Sequence, residues 1–289
     1  QERLADVTKV LASTTPRFLM SDEAIAAGVV RMFGGADSQG GRAVTTVAKR
    51  RLTVITGGPG TGKTYSIKRI LALLLESAPF PLKVVLAAPT GKAAVRMAEA
   101  IAEDLGELDV EDRVRNALSS LQPRTLHKLL GMRPDGTSRH GLERPVPADL
   151  IVVDEASMVD LALMRRLFEA VPVDARLVLL GDRDQLASVE AGTVLADFVG
   201  PVLDGSGAGD APLHGAVVHF DTNHRFKEAP TVAAIAAALQ RPEDDQLEQV
   251  GRWMRREDAA PGEQMPDRIV HLGIPAGGRP DKAHLDDLA

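Results

Sequence analysis

The sequence predicts an α/β fold, in which a doubly wound parallel sheet carries helices on both faces. The first observation is that residues 37–199 alternate short apolar runs with stretches whose apolar residues recur at helical spacing. This alternation is typical of the strand–helix units that build a parallel sheet. The second is that one apolar run leads directly into a glycine-rich octet, residues 57–64, after which a helical pattern begins. That order of strand, loop and helix is required of a phosphate-binding loop.

The elements follow one another in a consistent order. Residues 1–36 show helical patterning and are interpreted as a helical lead-in. The β-branched run 52–56 predicts the first buried strand, and apolar residues at helical spacing after Lys63 predict a helix with one face on the sheet. Two more apolar runs, 150–153 and 176–180, predict further strands of the same sheet.

The composition changes in two places, which suggests how the chain is divided. Residues 132–147 are polar, rich in Gly, Pro and Arg, and without helical period, so they predict an insert within domain 37–199. Residues 200–216 are rich in Gly, Asp and small residues, which is typical of a flexible linker. We expect a partial second domain, 217–289, whose predicted elements are a strand at 217–219, a helix near 232–240 and a strand at 268–272.

The octet fits the pattern G-x-x-x-x-G-K-[ST], which predicts a nucleoside triphosphate site. Backbone N–H groups at the start of a helix, together with the helix dipole, favour phosphate oxygens. Lys63 adds a positive charge for the β- and γ-phosphates, and Thr64 offers a hydroxyl to Mg²⁺. The residues predicted to bind the nucleotide are Gly58, Pro59, Gly60, Thr61, Gly62, Lys63 and Thr64. An ordinary glycine-rich turn is the alternative, and the flanking strand and helix argue against it.

Two adjacent carboxylates, Asp154 and Glu155, follow the second strand. Parallel strands deliver their carboxyl ends to one edge of the sheet, so Asp154 is expected to reach the Mg²⁺ ion. Glu155 is expected to act as the base for the water that attacks the γ-phosphate. Gln185, after the third strand, could sense a γ-phosphate oxygen. A solvated acidic or polar turn is the alternative for both segments.

The composition excludes several classes of protein. The absence of cysteine excludes disulfides and thiolate metal sites, and no apolar run is long enough to span a membrane. Together with the lack of a signal-peptide pattern, this predicts a soluble cytoplasmic protein. The net charge of −6 means that any nucleic acid would bind a local basic groove. Aromatic residues make up only 3% of the chain, so backbone contacts should dominate such binding.

Five segments carry a family resemblance. They are the octet 57–64, Ala-Pro-Thr-Gly-Lys-Ala-Ala at 88–94, Thr-Leu-His-Lys-Leu-Leu-Gly at 125–131, Val-Asp-Glu-Ala-Ser-Met at 153–158, and Gly-Asp-Arg-Asp-Gln-Leu-Ala-Ser-Val-Glu-Ala-Gly at 181–192. Their order resembles that of superfamily 1 helicases, and within these the chain is most similar to the alpha-subunit family of exodeoxyribonuclease V. The resemblance covers about residues 37–226, and it implies a RecA-like fold with the start of a second RecA-like domain.

The resemblance implies roles for further residues on the nucleotide side. Gln39 matches a glutamine that reads the adenine ring, and Gln185 matches a motif that links the state of the γ-phosphate to the DNA. Arg225 matches an arginine that contacts the γ-phosphate from the second motor domain, although His224 stands where the family usually has tyrosine. An isolated surface arginine is the alternative for Arg225.

The resemblance also implies a DNA track. Pro89, Thr90 and Lys92 match one segment that holds a single-stranded backbone, and Thr125 and His127 match another. Residues 132–147 resemble the hairpin insert that splits strands, although a disordered loop is the alternative.

The family implies an ATP-dependent DNA helicase subunit with Mg²⁺ as cofactor and 5′–3′ polarity, acting in double-strand-break repair and recombination. Its expected partners are single-stranded and double-stranded DNA ends and RecB- and RecC-like subunits. The family's late motifs are absent after residue 226, so we expect a fragment that binds ATP but does not unwind DNA alone. A P-loop ATPase switch and a non-catalytic scaffold are the alternatives, and DNA stimulation of ATP hydrolysis distinguishes them from a motor.

Overall fold

In a computed structural model of the chain, the described residues are 2–35, 38–183, 185, 194–204 and 213–222. They all fall in the first of the two units into which the chain divides, Gln1–His224. Arg225 and the elements predicted at 232–240 and 268–272 lie outside the described residues. The account below concerns the first unit.

Six parallel strands form one sheet in the order β3-β2-β4-β5-β1-β6. The strands are β1 (Leu52–Gly57), β2 (Val84–Ala88), β3 (Arg124–Thr125), β4 (Leu150–Val153), β5 (Arg176–Gly181) and β6 (Val217–Phe220). Every residue of β1, β4 and β5 is buried. This matches the sequence, since central strands of a parallel sheet are apolar on both faces.

Helices cover both faces of the sheet, which confirms the predicted fold class. The helices are α1 (Glu2–Ser13), α2 (Asp22–Phe33), α3 (Gln39–Lys49), α4 (Lys63–Ser77), α5 (Gly91–Ala102), α6 (Asp112–Ser119), α7 (Leu126–Leu130), α8 (Leu161–Glu169) and α9 (Val194–Leu203), with short 3₁₀ turns at Leu105–Glu107 and Ala156–Met158. Side chains of α2 to α6 join one apolar core, and side chains of α1, α7, α8 and α9 join the other. Alternate residues of β1, β2, β4, β5 and β6 point into the two cores, as the pleat requires.

The lead-in is helical, as predicted, but its two helices serve opposite faces. Leu4 and Leu11 of α1 are buried in the core that contains α8, whereas Ile25 and Val29 of α2 are buried in the core that contains α3 and α4. Ser21 caps α2 by accepting a hydrogen bond from the backbone N–H of Ala24. The amino-terminal segment therefore packs on both faces of the sheet.

The amino-end edge of the sheet holds a buried arginine at the start of β5. Arg176 donates hydrogen bonds to the carbonyl oxygens of Val47 (2.9 Å), Ala48 (2.9 Å) and Phe18 (2.5 Å), and its guanidinium lies over the Phe18 ring. Burial lowers the pKa of Arg176 to about 10. Since Val47 and Ala48 lie in the last turn of α3, the guanidinium caps the negative end of that helix and fixes it on the sheet.

Arg51, just before β1, is a second buried arginine at the same edge. Its guanidinium donates hydrogen bonds to the carbonyl oxygens of Ala175 (3.1 Å) and Pro172 (2.8 Å) and to the hydroxyl of Thr14. Burial lowers the pKa of Arg51, and attraction to Asp174 opposes this shift. These contacts tie the end of α1 to the loop before β5.

A strand is present where it was predicted at 217–219, but it belongs to the first unit and does not begin a second domain. It forms β6, which pairs in parallel with β1, with Val54 opposite Val217 and Gly57 opposite Phe220. The predicted linker 200–216 is also wrong at both ends, because α9 continues to Leu203 and Leu213 and Ala216 are buried in the core. Parallel strands are joined by long connections, and the Gly-rich residues belong to the connection that precedes β6.

The insert predicted at 132–147 begins with a small hairpin. Met132 and Ser138 form an antiparallel bridge, and Asp135 accepts hydrogen bonds from the backbone N–H (2.9 Å) and the hydroxyl (2.7 Å) of Thr137. Gly136 occupies the turn at φ +79°, a conformation that favours glycine. This agrees with the hairpin that the resemblance implies rather than with a disordered loop, and the role of the hairpin in splitting strands stays a prediction. In the described part of the chain, no helix is long and apolar enough to cross a bilayer.

Candidate functional site

The loop between β1 and α4 has the geometry of a phosphate cradle. Gly60 (φ +79°) and Gly62 (φ +86°) adopt left-handed conformations that residues with a Cβ rarely adopt. At Gly57, an added Cβ would lie 2.4 Å from the carbonyl oxygen of Phe220 and 3.1 Å from Thr61 Oγ1. The glycines therefore let the loop adopt left-handed conformations and pack closely against β6, and such a loop at the start of a helix is suited to bind phosphate.

Lys63 begins α4 and reaches back into this loop. Its Nζ donates hydrogen bonds to the carbonyl oxygens of Gly57 (2.5 Å) and Gly58 (3.0 Å). Burial lowers the pKa of Lys63, while attraction to Asp182, Asp154 and Glu155 opposes that shift. The ammonium group is thus held in the concavity of the loop, where it could meet an anion.

Two threonines complete the loop. Thr61 is buried, and its hydroxyl donates to the carbonyl oxygen of Gly58 at 2.8 Å, which holds the turn closed. Thr64 lies half-buried in the first turn of α4, next to Lys63. A hydroxyl at this position fits a magnesium ion that is held mainly by phosphate oxygens, because Mg²⁺ prefers oxygen ligands and keeps few protein contacts.

Asp154 follows β4 at the same edge of the sheet. Its backbone N–H donates to the carbonyl oxygen of Ala87 (2.9 Å), and its Oδ1 accepts from the backbone N–H of Glu155 (2.9 Å). Burial raises the pKa of Asp154, and this hydrogen bond and the charge of Lys63 oppose that shift. A metal ion bound here would favour the ionised carboxylate.

Glu155 adopts a left-handed conformation at φ +53°, and the 3₁₀ turn Ala156–Met158 follows it directly. For a residue other than glycine this conformation costs about 1–3 kcal/mol and is enriched at functional sites. The charges of both carboxylates act on Lys63, so Asp154 and Glu155 lie at the same edge of the sheet. Their separate roles, metal ligand and base, stay predictions.

Gln185 is linked to this carboxylate segment. The hydroxyl of Ser157, in the 3₁₀ turn after Glu155, donates to Gln185 Oε1 at 3.2 Å. A shift of either segment would therefore alter this hydrogen bond to the other.

Gln39 begins α3, and two residues after β6 hold its side chain. Gln39 Nε2 donates to Asp221 Oδ1 and to Thr222 Oγ1 (2.7 Å), while its Oε1 is buried without a hydrogen-bond partner. Since β6 runs parallel to β1, these groups lie at the same edge as the phosphate loop.

The residues predicted to contact DNA follow β2 and β3, two adjacent strands farther from the phosphate loop. Thr90 caps α5 by accepting from the backbone N–H of Ala93 (3.2 Å), and Thr125 caps α7 by accepting from that of Lys128 (3.3 Å). Ala88 pairs with Thr125 across the strands, so the two predicted segments lie side by side. Pro89 is half-buried beside Thr90, and the side chains of Lys92 and His127 are exposed. Both threonines thus have a structural role in addition to any contact with DNA.

The sequence did not single out several residues that the structure brings to this edge. Asp182 is buried directly after β5 and lies close enough to Lys63 to attract its charge. Its position in the run Gly-Asp-Arg-Asp-Gln was a usable signal, because it repeats the strand–carboxylate order of Asp154. Ser157 lies in the quoted segment 153–158, but the sequence assigned it no role, and Asp221 and Thr222 had no comparable signal, since their importance depends on partners distant in sequence.

The chain is similar to known proteins over most of its length. Residues 41–191 match a family described as an AAA domain. The RecBCD enzyme subunit RecD of Mycolicibacterium smegmatis is 44% identical over 85% of this chain and 42% of that protein. RecD of Mycobacterium tuberculosis (strain CDC 1551 / Oshkosh) is 46% identical over 74% of this chain and 36% of that protein. The ATP-dependent RecD2 DNA helicase of Deinococcus radiodurans is 39% identical over 68% and 24%, respectively, so the chain spans less than half the length of these relatives.

Proposed function

The chain belongs to the AAA domain family and is a relative of the RecD subunits, and from this premise we propose that it is the nucleotide-binding part of an ATP-dependent DNA helicase subunit. The observation that carries the proposal is the gathering of Lys63, Asp154 and Asp182 at the carboxyl edge of the sheet, beside the glycine-rich loop. An ammonium facing two carboxylates across such a loop suits a triphosphate with its divalent ion.

We propose the following roles for the residues of the chain. The loop and Lys63 would hold the phosphates, Thr64 and Asp154 the magnesium ion, and Glu155 would accept a proton from the attacking water. Hydrolysis of the bound ATP would supply free energy. Gln185 is suited to report the state of that site, because Ser157 connects it to the segment of Glu155. Arg225 is proposed to neutralise charge on the γ-phosphate.

The names of the relatives support the cellular setting of the proposal. Two are subunits of RecBCD enzymes, and the third is an ATP-dependent DNA helicase. We therefore propose that this chain acts at DNA ends with RecB- and RecC-like subunits, and moves 5′ to 3′ along a single strand. Pro89, Thr90, Lys92, Thr125 and His127 would contact the backbone of that strand.

Lys63→Ala tests the nucleotide site. We expect it to weaken MgATP binding by about 10–100-fold, because a charge-assisted hydrogen bond contributes about 1.5–3 kcal/mol. Adenosine should bind equally to both proteins, since it has no phosphate. Isothermal titration calorimetry measures both affinities, and Lys9→Ala, on the exposed side of α1, is the matched control. Unchanged MgATP affinity in the Lys63 variant would contradict the proposal.

Lys92→Ala tests the DNA track. It should weaken single-stranded DNA binding about equally for all sequences, because a phosphate contact carries no base information. The slope of log K against log salt should fall by about 0.7 if one phosphate contact is lost. Fluorescence anisotropy with dT and mixed-sequence oligonucleotides at several salt concentrations measures this, with Lys49→Ala at the opposite end of the sheet as control. Loss confined to one sequence would argue against a backbone contact.

A further inference from the structure

The amide of Gln39 is fixed in one orientation by two side chains that no motif includes. A carboxylate can only accept hydrogen bonds, so the amide group facing Asp221 must be the NH₂. The Thr222 hydroxyl donates its single proton to Asp221 Oδ1 at 3.1 Å and can therefore only accept from Gln39 Nε2. Both protons of the amide nitrogen are used, and a flipped amide would bring oxygen against oxygen.

This orientation leaves Gln39 Oε1 as an acceptor with no partner. The atom is buried, and a buried acceptor without a donor carries a free-energy cost. A bound group that brings an N–H to Oε1 would remove this cost, whereas a carbonyl oxygen would be repelled. Among purine bases, a 6-amino group brings a donor and a 6-oxo group brings an acceptor.

We propose that Asp221, supported by Thr222, is a positioning residue that holds Gln39 as a pure acceptor and so makes the site select 6-aminopurine over 6-oxopurine triphosphates. This inference rests on the proposed nucleotide-binding function and deepens it. Asp221 follows β6, which lies against the phosphate-loop strand, so the base-reading group and the phosphate cradle share one framework.

The test compares binding of MgATP, MgITP and the Mg²⁺ complex of purine riboside triphosphate by calorimetry, using the whole chain. ITP carries oxygen at position 6 and a proton on N1, whereas purine riboside differs from adenosine only in having hydrogen at position 6, so the comparison of ATP with purine riboside triphosphate isolates the 6-amino group. The wild-type protein should prefer ATP to ITP by about tenfold or more, with the purine riboside in between. In Asp221→Asn and Asp221→Ala, the ATP-to-ITP ratio should fall to within about threefold of one, because the amide of Gln39 can then rotate.

A double-mutant cycle distinguishes an effect of Asp221 on the orientation of Gln39 from a general loss of structure. In a Gln39→Ala background, Asp221→Asn should leave the ratio unchanged, since Asp221 acts only through Gln39. Asp6→Asn, an exposed carboxylate on α1, removes the same charge and should change nothing. Asp221 variants that lose ATP and ITP affinity equally, or that keep the wild-type ratio, would overturn the inference. Failure of the wild-type protein to bind any of the three triphosphates would instead overturn the proposed function, and this inference with it.

Discussion

Glu155→Gln should lower ATP turnover by about 10²–10⁴-fold while leaving MgATP affinity within about twofold, because an amide keeps the shape of the side chain but cannot take a proton from water. The backbone supports this separation of binding from chemistry. Glu155 occupies a left-handed conformation held by the 3₁₀ turn that follows it, and glutamine can adopt that conformation as readily as glutamate. Phosphate release with single-stranded DNA present measures turnover, and calorimetry measures affinity.

The matched control for this substitution is Glu107→Gln, which makes the same chemical change at an exposed position after α5. It should leave both turnover and affinity unchanged. If Glu155→Gln reduced turnover less than tenfold, Glu155 would not be the base. A parallel loss of affinity would mean that the side chain holds the nucleotide rather than activates water.

Arg176→Ala should reduce the free energy of unfolding by about 3–5 kcal/mol, because each buried acceptor left without a donor costs about 1–3 kcal/mol, and this loss is a large part of the stability of a typical domain. Three carbonyl oxygens, of Phe18, Val47 and Ala48, would lose their donor in a place that water does not reach. The end of α3 would also lose the positive charge that offsets its dipole. Urea denaturation followed by circular dichroism measures the change.

Two companion variants sharpen this test. Arg176→Lys should fall between wild type and alanine, since one ammonium group cannot reach all three carbonyls in the geometry of a guanidinium. Arg165→Ala, an exposed arginine paired with Glu169 on α8, should cost no more than about 1 kcal/mol. Equal small losses for Arg176 and Arg165 would show that the buried guanidinium stabilises nothing.

The fold class was predictable because strong signals were local. The runs 52–56, 150–153 and 176–180 are continuous and apolar, and each became a buried strand. Strand β2 escaped notice because it follows a proline-containing stretch and ends in two alanines, a residue type that is depleted in strands. The partner of β6 was not predictable from its neighbourhood, since pairing with β1 is decided by contacts far away in the sequence.

The candidate site shows the same division between local and distant information. The spacing of the octet fixes which residues can line the phosphate loop, and the strand before Asp154 fixes the edge at which it lies. The buried arginines could not be anticipated, because charged residues are usually exposed and their partners here are backbone carbonyls of distant segments. The contact between Asp221 and Gln39 was likewise not predictable, because 182 residues separate the two.

The position of β6 beside β1 has a consequence for how the protein folds during synthesis. The phosphate-loop strand is made early, yet one of its two neighbours follows roughly 160 residues later, which at about 5–20 residues per second takes on the order of 10–30 s. During that interval β1 presents an open edge, and the Phe220 carbonyl against which Gly57 packs does not yet exist. A nascent chain therefore carries this unpaired strand edge until β6 has been made, and unpaired edges are exposed to aggregation during synthesis.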